Sequence, residues 1–215
     1  GMWRIQSGSL SDNGMDRRRV TGASNMNAIR INNDSVHPEQ FGYSYTYGVG
    51  YEGRSLTEII ERIHALNLRI NGLNHEYYID APVSLNSNAG FYMYGMQFFT
   101  VPNPQTGTAP NCFFNRSTYA SQIMIDNCTF TGFRTRVSDG FSLDAALPLS
   151  AVHISVTNTR VYQNDGNGIM LYHNPNIYSS EFESVLIKNC VAYENGVPGT
   201  STGIGIGSYL DPSNS

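Results

Sequence analysis

The feature that most constrains this chain is an internal repeat. Three segments, Ile123-Met-Ile-Asp-Asn-Cys-Thr-Phe130, Ile154-Ser-Val-Thr-Asn-Thr-Arg-Val161 and Val185-Leu-Ile-Lys-Asn-Cys-Val-Ala192, align with Asn127, Asn158 and Asn189 in register, each 31 residues after the last. Apolar residues alternate with their neighbours before each asparagine, so Ile125, Val156 and Ile187 face the same way. A second register accompanies the first: Gly140-Phe-Ser-Leu143, Gly168-Ile-Met-Leu171 and Gly203-Ile-Gly-Ile206 are each a glycine followed by an alternating strand. A unit this small cannot bury its own apolar face. It must stack on its neighbours, and the terminal units then need caps.

Two short strands per unit, joined at asparagine and glycine bends, wind into one turn whose successors pair in parallel about 4.8 Å apart. The expected fold is therefore all-β, a right-handed parallel β-helix, with inward columns Ile125, Val156, Ile187 and Phe141, Ile169, Ile204. Asn127, Asn158 and Asn189 would stack at one bend as an asparagine ladder, their amides bonding the backbone and one another along the axis. Cys128 and Cys190 then sit two turns apart, roughly 9.6 Å on the strand spacing and beyond disulfide reach. They read as small core residues, and with Cys112 they make no disulfide framework.

The period changes towards the N-terminus. Ser55-Leu-Thr-Glu58 is a capping box, and Leu56, Ile59, Ile60, Ile63 and Leu66 behind it fall on one face of a short helix, the expected N-terminal cap. After it, Tyr77 to Leu85 and Phe91 to Phe99 are short β-type runs divided by a turn, and no second helix follows. Residues 1–53 read as an irregular segment, with Arg17-Arg-Arg19 a solvated surface, and residues 54–215 as the β-helix. Gly1 before Met2 reads as a residue left ahead of a native start, which would leave no signal peptide. Charged residues are 14% of the chain and the net charge is -4, so no cationic field for nucleic acid is expected. No apolar run approaches the roughly 20 residues that cross a bilayer, so membrane insertion is not expected either. Neutral polar and aromatic residues take the place of charge, 14 Tyr and 10 Phe among them, a composition suited to stacking on sugars.

The helix, Leu68-Arg-Ile-Asn-Gly72 after it, the run Tyr77-Tyr-Ile-Asp-Ala-Pro-Val-Ser-Leu85 and the segment Val156 to Leu171 resemble pectate-lyase-like β-helices, bacteriophage tailspikes above all. The resemblance covers about residues 54 to 209. It implies a homotrimer, in a virion or extracellular, that binds bacterial surface polysaccharide, capsule or O-antigen; many tailspikes also cleave it. The same superfamily contains secreted polysaccharide lyases, epimerases and non-catalytic adhesive solenoids, so resemblance fixes fold more than chemistry. The chain ends soon after a strand, and its last turn is expected to be covered by a partner or by further chain.

Alternation places candidate chemistry on the outside. Met124, Ser155, Leu186 and Asp126, Thr157, Lys188 form two outward rows, while Asp144 lies one turn below Tyr172, with glycines beside it on the next turn. A carboxylate beside an aromatic shelf suits a sugar; a solvated aspartate and a surface tyrosine are the plain alternative. Glycoside hydrolysis needs two carboxyls, about 5 to 5.5 Å apart for retention and about 6.5 to 9.5 Å for inversion. Asp144 and Asp165 are the first choice as acid and base, with Asp139, Glu181, Glu183 and Glu194 as lesser candidates. Tyr172, His173, Lys188 and Arg160 are candidate substrate contacts, and Lys188 or Arg160 would serve lyase chemistry at a uronate. No motif chooses between hydrolysis, elimination and binding alone. No carboxylate cluster calls for a metal, and no cofactor is expected.

Overall fold

The computed structural model describes residues 2–7, 17–19, 26–31, 35–46, 49–87, 89–102, 107, 110, 112–114, 121–133, 141–144, 152–165, 168–173, 182–196 and 204–208. The first three strands, β1 (Met2–Ser7), β2 (Arg17–Arg19) and β3 (Met26–Ile31), form an antiparallel sheet of order β1-β3-β2. Then come β4 (Ser35–Val36), a 3-10 turn at Pro38–Phe41, a small antiparallel pair of β5 (Tyr45–Thr46) with β6 (Gly50–Tyr51), and the helix α1 (Leu56–Ala65). Ser55 caps α1 by accepting the Glu58 amide at 3.3 Å, and the Glu58 carboxylate lies 4.0 Å from Arg54.

Beyond the helix the chain is a parallel β-helix. Among the described residues, the coils made of β7 (Arg69–Asn71) with β8 (Glu76–Ile79), and β9 (Phe91–Tyr94) with β10 (Gln97–Thr100), each give two strands, with a parallel bridge from Val83 to Phe114 beside them. The next three coils give three each. They are β11 (Gln122–Asp126), β12 (Thr129–Thr131) and β13 (Phe141–Asp144), then β14 (Val152–Thr157), β15 (Arg160–Tyr162) and β16 (Ile169–His173), then β17 (Phe182–Lys188), β18 (Val191–Tyr193) and β19 (Ile204–Ser208). They stack into parallel sheets of order β17-β14-β11-β9-β7-β4, β18-β15-β12-β10-β8 and β13-β16-β19. The sequence suggests two strands per turn, whereas these turns carry three. Each eight-residue run around the asparagine is not one strand but two, broken at the asparagine.

The reason for the break is local. Asn127, Asn158 and Asn189 take φ of 49°, 51° and 54°, the left-handed region that asparagine tolerates better than any branched residue. One such residue swings the chain from the first sheet onto the second. Asn189 Nδ2 donates to Asn158 Oδ1 at 3.2 Å, Asn158 Nδ2 donates to Asp126 Oδ1 at 2.7 Å, and Asn127 Nδ2 donates to Asn74 Oδ1 at 3.1 Å. Between Asn127 and Asn74 the equivalent position is Gly95, at φ 65°, where a Cβ would come within 3.3 Å of Asn74 Oδ1.

The inward columns form one core. Ile70, Met93, Ile125 and Val156 are in register and buried, as are Tyr77, Phe98, Phe130 and Val161. Phe98 and Phe130 stack with centroids 5.1 Å apart, and Phe113 meets both from the side. Each such ring contributes about 1.5 to 3 kcal/mol of burial. At the helical end Leu56, Ile59, Ile60 and Ile63 seal the core. Thr57 Oγ1 donates to Ala81 O at 2.8 Å and the Ser84 amide donates to Glu61 at 2.7 Å, fixing α1 over the first coils.

A second polar column escapes a reading based on the aligned asparagines alone. Asn164, 2% exposed, accepts the Phe133 amide at 3.0 Å and donates to Asn195 Oδ1 at 2.8 Å. Asn195 in turn donates to Val161 O at 2.9 Å. These asparagines also lie 31 residues apart and close the bend that follows the second strand of each coil.

Candidate functional site

Side chains that alternate with the core on the first sheet point to solvent, and register stacks them into two rows along the axis. One row is Arg69, Tyr92, Met124, Ser155 and Leu186; the other is Asn71, Tyr94, Asp126, Thr157 and Lys188. Because Arg69 precedes Ile70 and Tyr92 precedes Met93, the Ile70 to Met93 pairing sets the guanidinium beside the Tyr92 ring, 5.3 Å from its centroid. The Tyr92 hydroxyl donates to Gln122 Oε1 at 2.7 Å, and the Tyr94 hydroxyl is 3.0 Å from Ser35 Oγ. Both rings are therefore held in place.

Two adjoining depressions occupy this face. The first, of about 220 Å³, is lined by Arg69, Tyr92, Tyr94, Met124, Asp126 and Thr157 among others. The second, of about 310 Å³, lies over Gln122, Met124, His153, Ser155, Ser184 and Leu186. They share Met124 and Ser155 and so run into each other. Met124 is 40% exposed, Leu186 50% and Tyr94 37%, large apolar surfaces that nothing in the described chain covers. Polar groups border them. Asp126 Oδ1 accepts from Thr157 Oγ1 at 2.6 Å and from Asn158, and His153 Nδ1 is 2.9 Å from Ser184 Oγ.

The residues singled out from sequence are spread over the other faces as well. Asp144 pairs with Tyr172 on the third sheet, and Tyr172 with Gly207, the juxtaposition that alternation requires. Asp144 closes β13, whereas Asp165 stands on the bend between β15 and β16, its amide donating to Phe133 O at 3.0 Å. His173 ends β16 and Glu183 lies within β17. Exposed Arg160 opens β15, and exposed Lys188 ends β17 opposite Thr157. Glu194, at φ 53°, accepts from Gln163 Nε2 at 3.1 Å. Asp139 and Glu181 lie outside the described residues.

Arg69, Tyr92 and Tyr94 were not among those candidates. They belong to coils whose sequence does not match the three clear repeats, though the alternation in Phe91-Tyr-Met-Tyr94 does mark the two tyrosines as outward. Among the described residues no group of three His, Cys, Asp or Glu could hold a metal ion, and no helix is long and apolar enough to cross a membrane. No protein-family description, curated protein or solved structure matches this chain.

Proposed function

We propose that this chain is a tailspike-like receptor-binding protein that holds bacterial surface polysaccharide, capsule or O-antigen, along the outside of its first sheet. The observation that supports this best is the pair of outward rows on that sheet. They set exposed Tyr94, Met124 and Leu186 among hydroxyl, amide and carboxylate groups, repeated at a strand spacing of about 4.8 Å. A polymer lying along the axis meets apolar faces and hydrogen-bonding edges in alternation, the mixture that a sugar ring presents in return. Cleavage by Asp144 and Asp165 as acid and base belongs to a separate stretch of glycan passing over the third sheet and the bend before it, away from this face, and the working assembly is a homotrimer by resemblance.

Capsule and O-antigen preparations incubated with the protein test this in one experiment, with binding, reducing ends and unsaturated-uronate absorbance followed together. Binding that strengthens with polymer length and weakens for Tyr94→Ala is expected. No binding to any preparation overturns the reading. Full turnover by both Asp144→Asn and Asp165→Asn removes the assignment of acid and base. A light-scattering mass near three times 23.8 kDa is expected, and a monomer removes the trimer.

A further inference from the structure

We infer that the depression over β7, β9 and β11 is built for an acidic sugar, with the Arg69 guanidinium reading its carboxylate. This rests on the polysaccharide reading above and narrows its ligand to uronate-bearing repeats.

Three observations carry it. Arg69 is exposed and its guanidinium lies 5.3 Å from the Tyr92 ring centroid, while Tyr92 is itself anchored through its hydroxyl to Gln122. A guanidinium held against an aromatic ring keeps its in-plane N–H groups available, and that planar fork matches a carboxylate in two parallel hydrogen bonds. Second, no carboxylate among the described residues pairs with Arg69. The acid that lines the same depression, Asp126, takes hydrogen bonds from Thr157 Oγ1 and Asn158 Nδ2 on its Oδ1 rather than from Arg69. Among the described residues the cation has no carboxylate partner, and the hydrogen bonds on Asp126 stabilise that carboxylate where it stands. Third, exposed Tyr94 and Met124 lie beside the cation and give a sugar ring an apolar floor, and the Ser155 and Thr157 side chains border it. An ammonium in place of Arg69 would supply the charge without the fork.

The test is the affinity of the full chain for a panel of capsular polysaccharides and O-antigens with uronate-bearing or neutral repeats. Each uronate polymer is also tested after carbodiimide activation and borohydride reduction of its carboxyls. At least one native polymer is expected to bind about tenfold or more tighter than its reduced form, with a preference that salt weakens. Arg69→Gln should bring the native polymer down to the reduced one, and Arg69→Lys should fall between, both melting as the wild type does. Equal binding of native and reduced polymers overturns the inference, as does an Arg69→Gln protein that keeps the preference. Should Arg69→Gln melt early, the comparison of native with reduced polymer on the unaltered chain still decides. Neutral polymers bound without acidic preference remove the acidic sugar and leave the polysaccharide reading standing. Failure of every polymer removes both.

Discussion

Replacing Asn164 by alanine should be among the most damaging single polar substitutions in this protein. The side chain is 2% exposed and makes three contacts: it accepts the Phe133 amide at 3.0 Å, donates to Asn195 Oδ1 at 2.8 Å and reaches Phe130 O at 3.5 Å. The two short bonds are worth about 1 kcal/mol each, and the third, at the limit of hydrogen-bond length, contributes less. Alanine also strands the Phe133 amide in the core, adding about 1 to 3 kcal/mol for an unsatisfied buried donor. The total is about 3 to 5 kcal/mol, or about 6 to 20 °C in melting temperature for a chain of this size. Asn158 is the control, because its side-chain hydrogen bonds are exposed to water and contribute little, leaving mainly its backbone conformation at φ 51°. Asn158→Gly should cost less than about 1 kcal/mol, since glycine enters the left-handed region freely, whereas Asn158→Ala keeps the Cβ and loses the polar side chain that lets asparagine tolerate that region, and should cost about 1 kcal/mol more. Urea titration followed by circular dichroism measures all three. An Asn164→Ala protein no less stable than Asn158→Gly would refute the claim that the second ladder is a buried hydrogen-bonded column.

Other consequences can be measured on the same material. Phe130→Ala removes a ring that contacts both Phe98 and Phe113 and should cost about 3 to 5 kcal/mol in the same titration, with a smaller loss if the neighbouring rings close the gap. Burial holds the His64 imidazole below its ordinary value of 6.5, against the opposing effect of its bond to Ala89 O. The unfolded chain then binds more protons than the folded one between those two values. Stability present above the unfolded value is lost as pH falls from there towards the lower folded value, at up to about 1.4 kcal/mol per pH unit. Urea midpoints between about pH 7 and about pH 5 should show this slope, and His64→Gln should flatten it. Burial pushes the Cys128 thiol up to about 12, so a disulfide reagent at about pH 8 should leave it unlabelled until denaturant is added; labelling in the folded chain would contradict its place in the core.

Much of the solenoid is legible in the sequence because a stacked fold repeats its demands. The spacing of Asn127, Asn158 and Asn189 is also that of Ile125, Val156 and Ile187 on the core side and of Asp126, Thr157 and Lys188 outside, and strand register joins each set. The capping helix is legible too, since Ser55 and the stripe from Leu56 to Ile63 are local signals. Harder to see are the features whose partners lie in coils of dissimilar sequence. Gly95 is a position of the asparagine column only because backbone pairing says so, and Asn74 supplies the missing amide from an extra bend residue.

The sequence by itself determined the period, the inward column through Ile125 and Val156 and the residue able to turn the corner, all consequences of side-chain chemistry at fixed spacing; of the second expected column Ile169 is buried, while Ile204 on the last coil is 43% exposed. Only the tertiary structure decided that a separate short strand follows the asparagine bend, giving a third strand per turn, and that Asn164 and Asn195 form an interior column. It also decided that the outward depression is completed by Arg69 and Tyr92, from coils outside the clear repeat. The physical reason is that periodicity records what each residue must face. Which residues of unlike coils come to share one surface depends on how backbones pair, and where coils differ in sequence and turn length no common repeat aligns them.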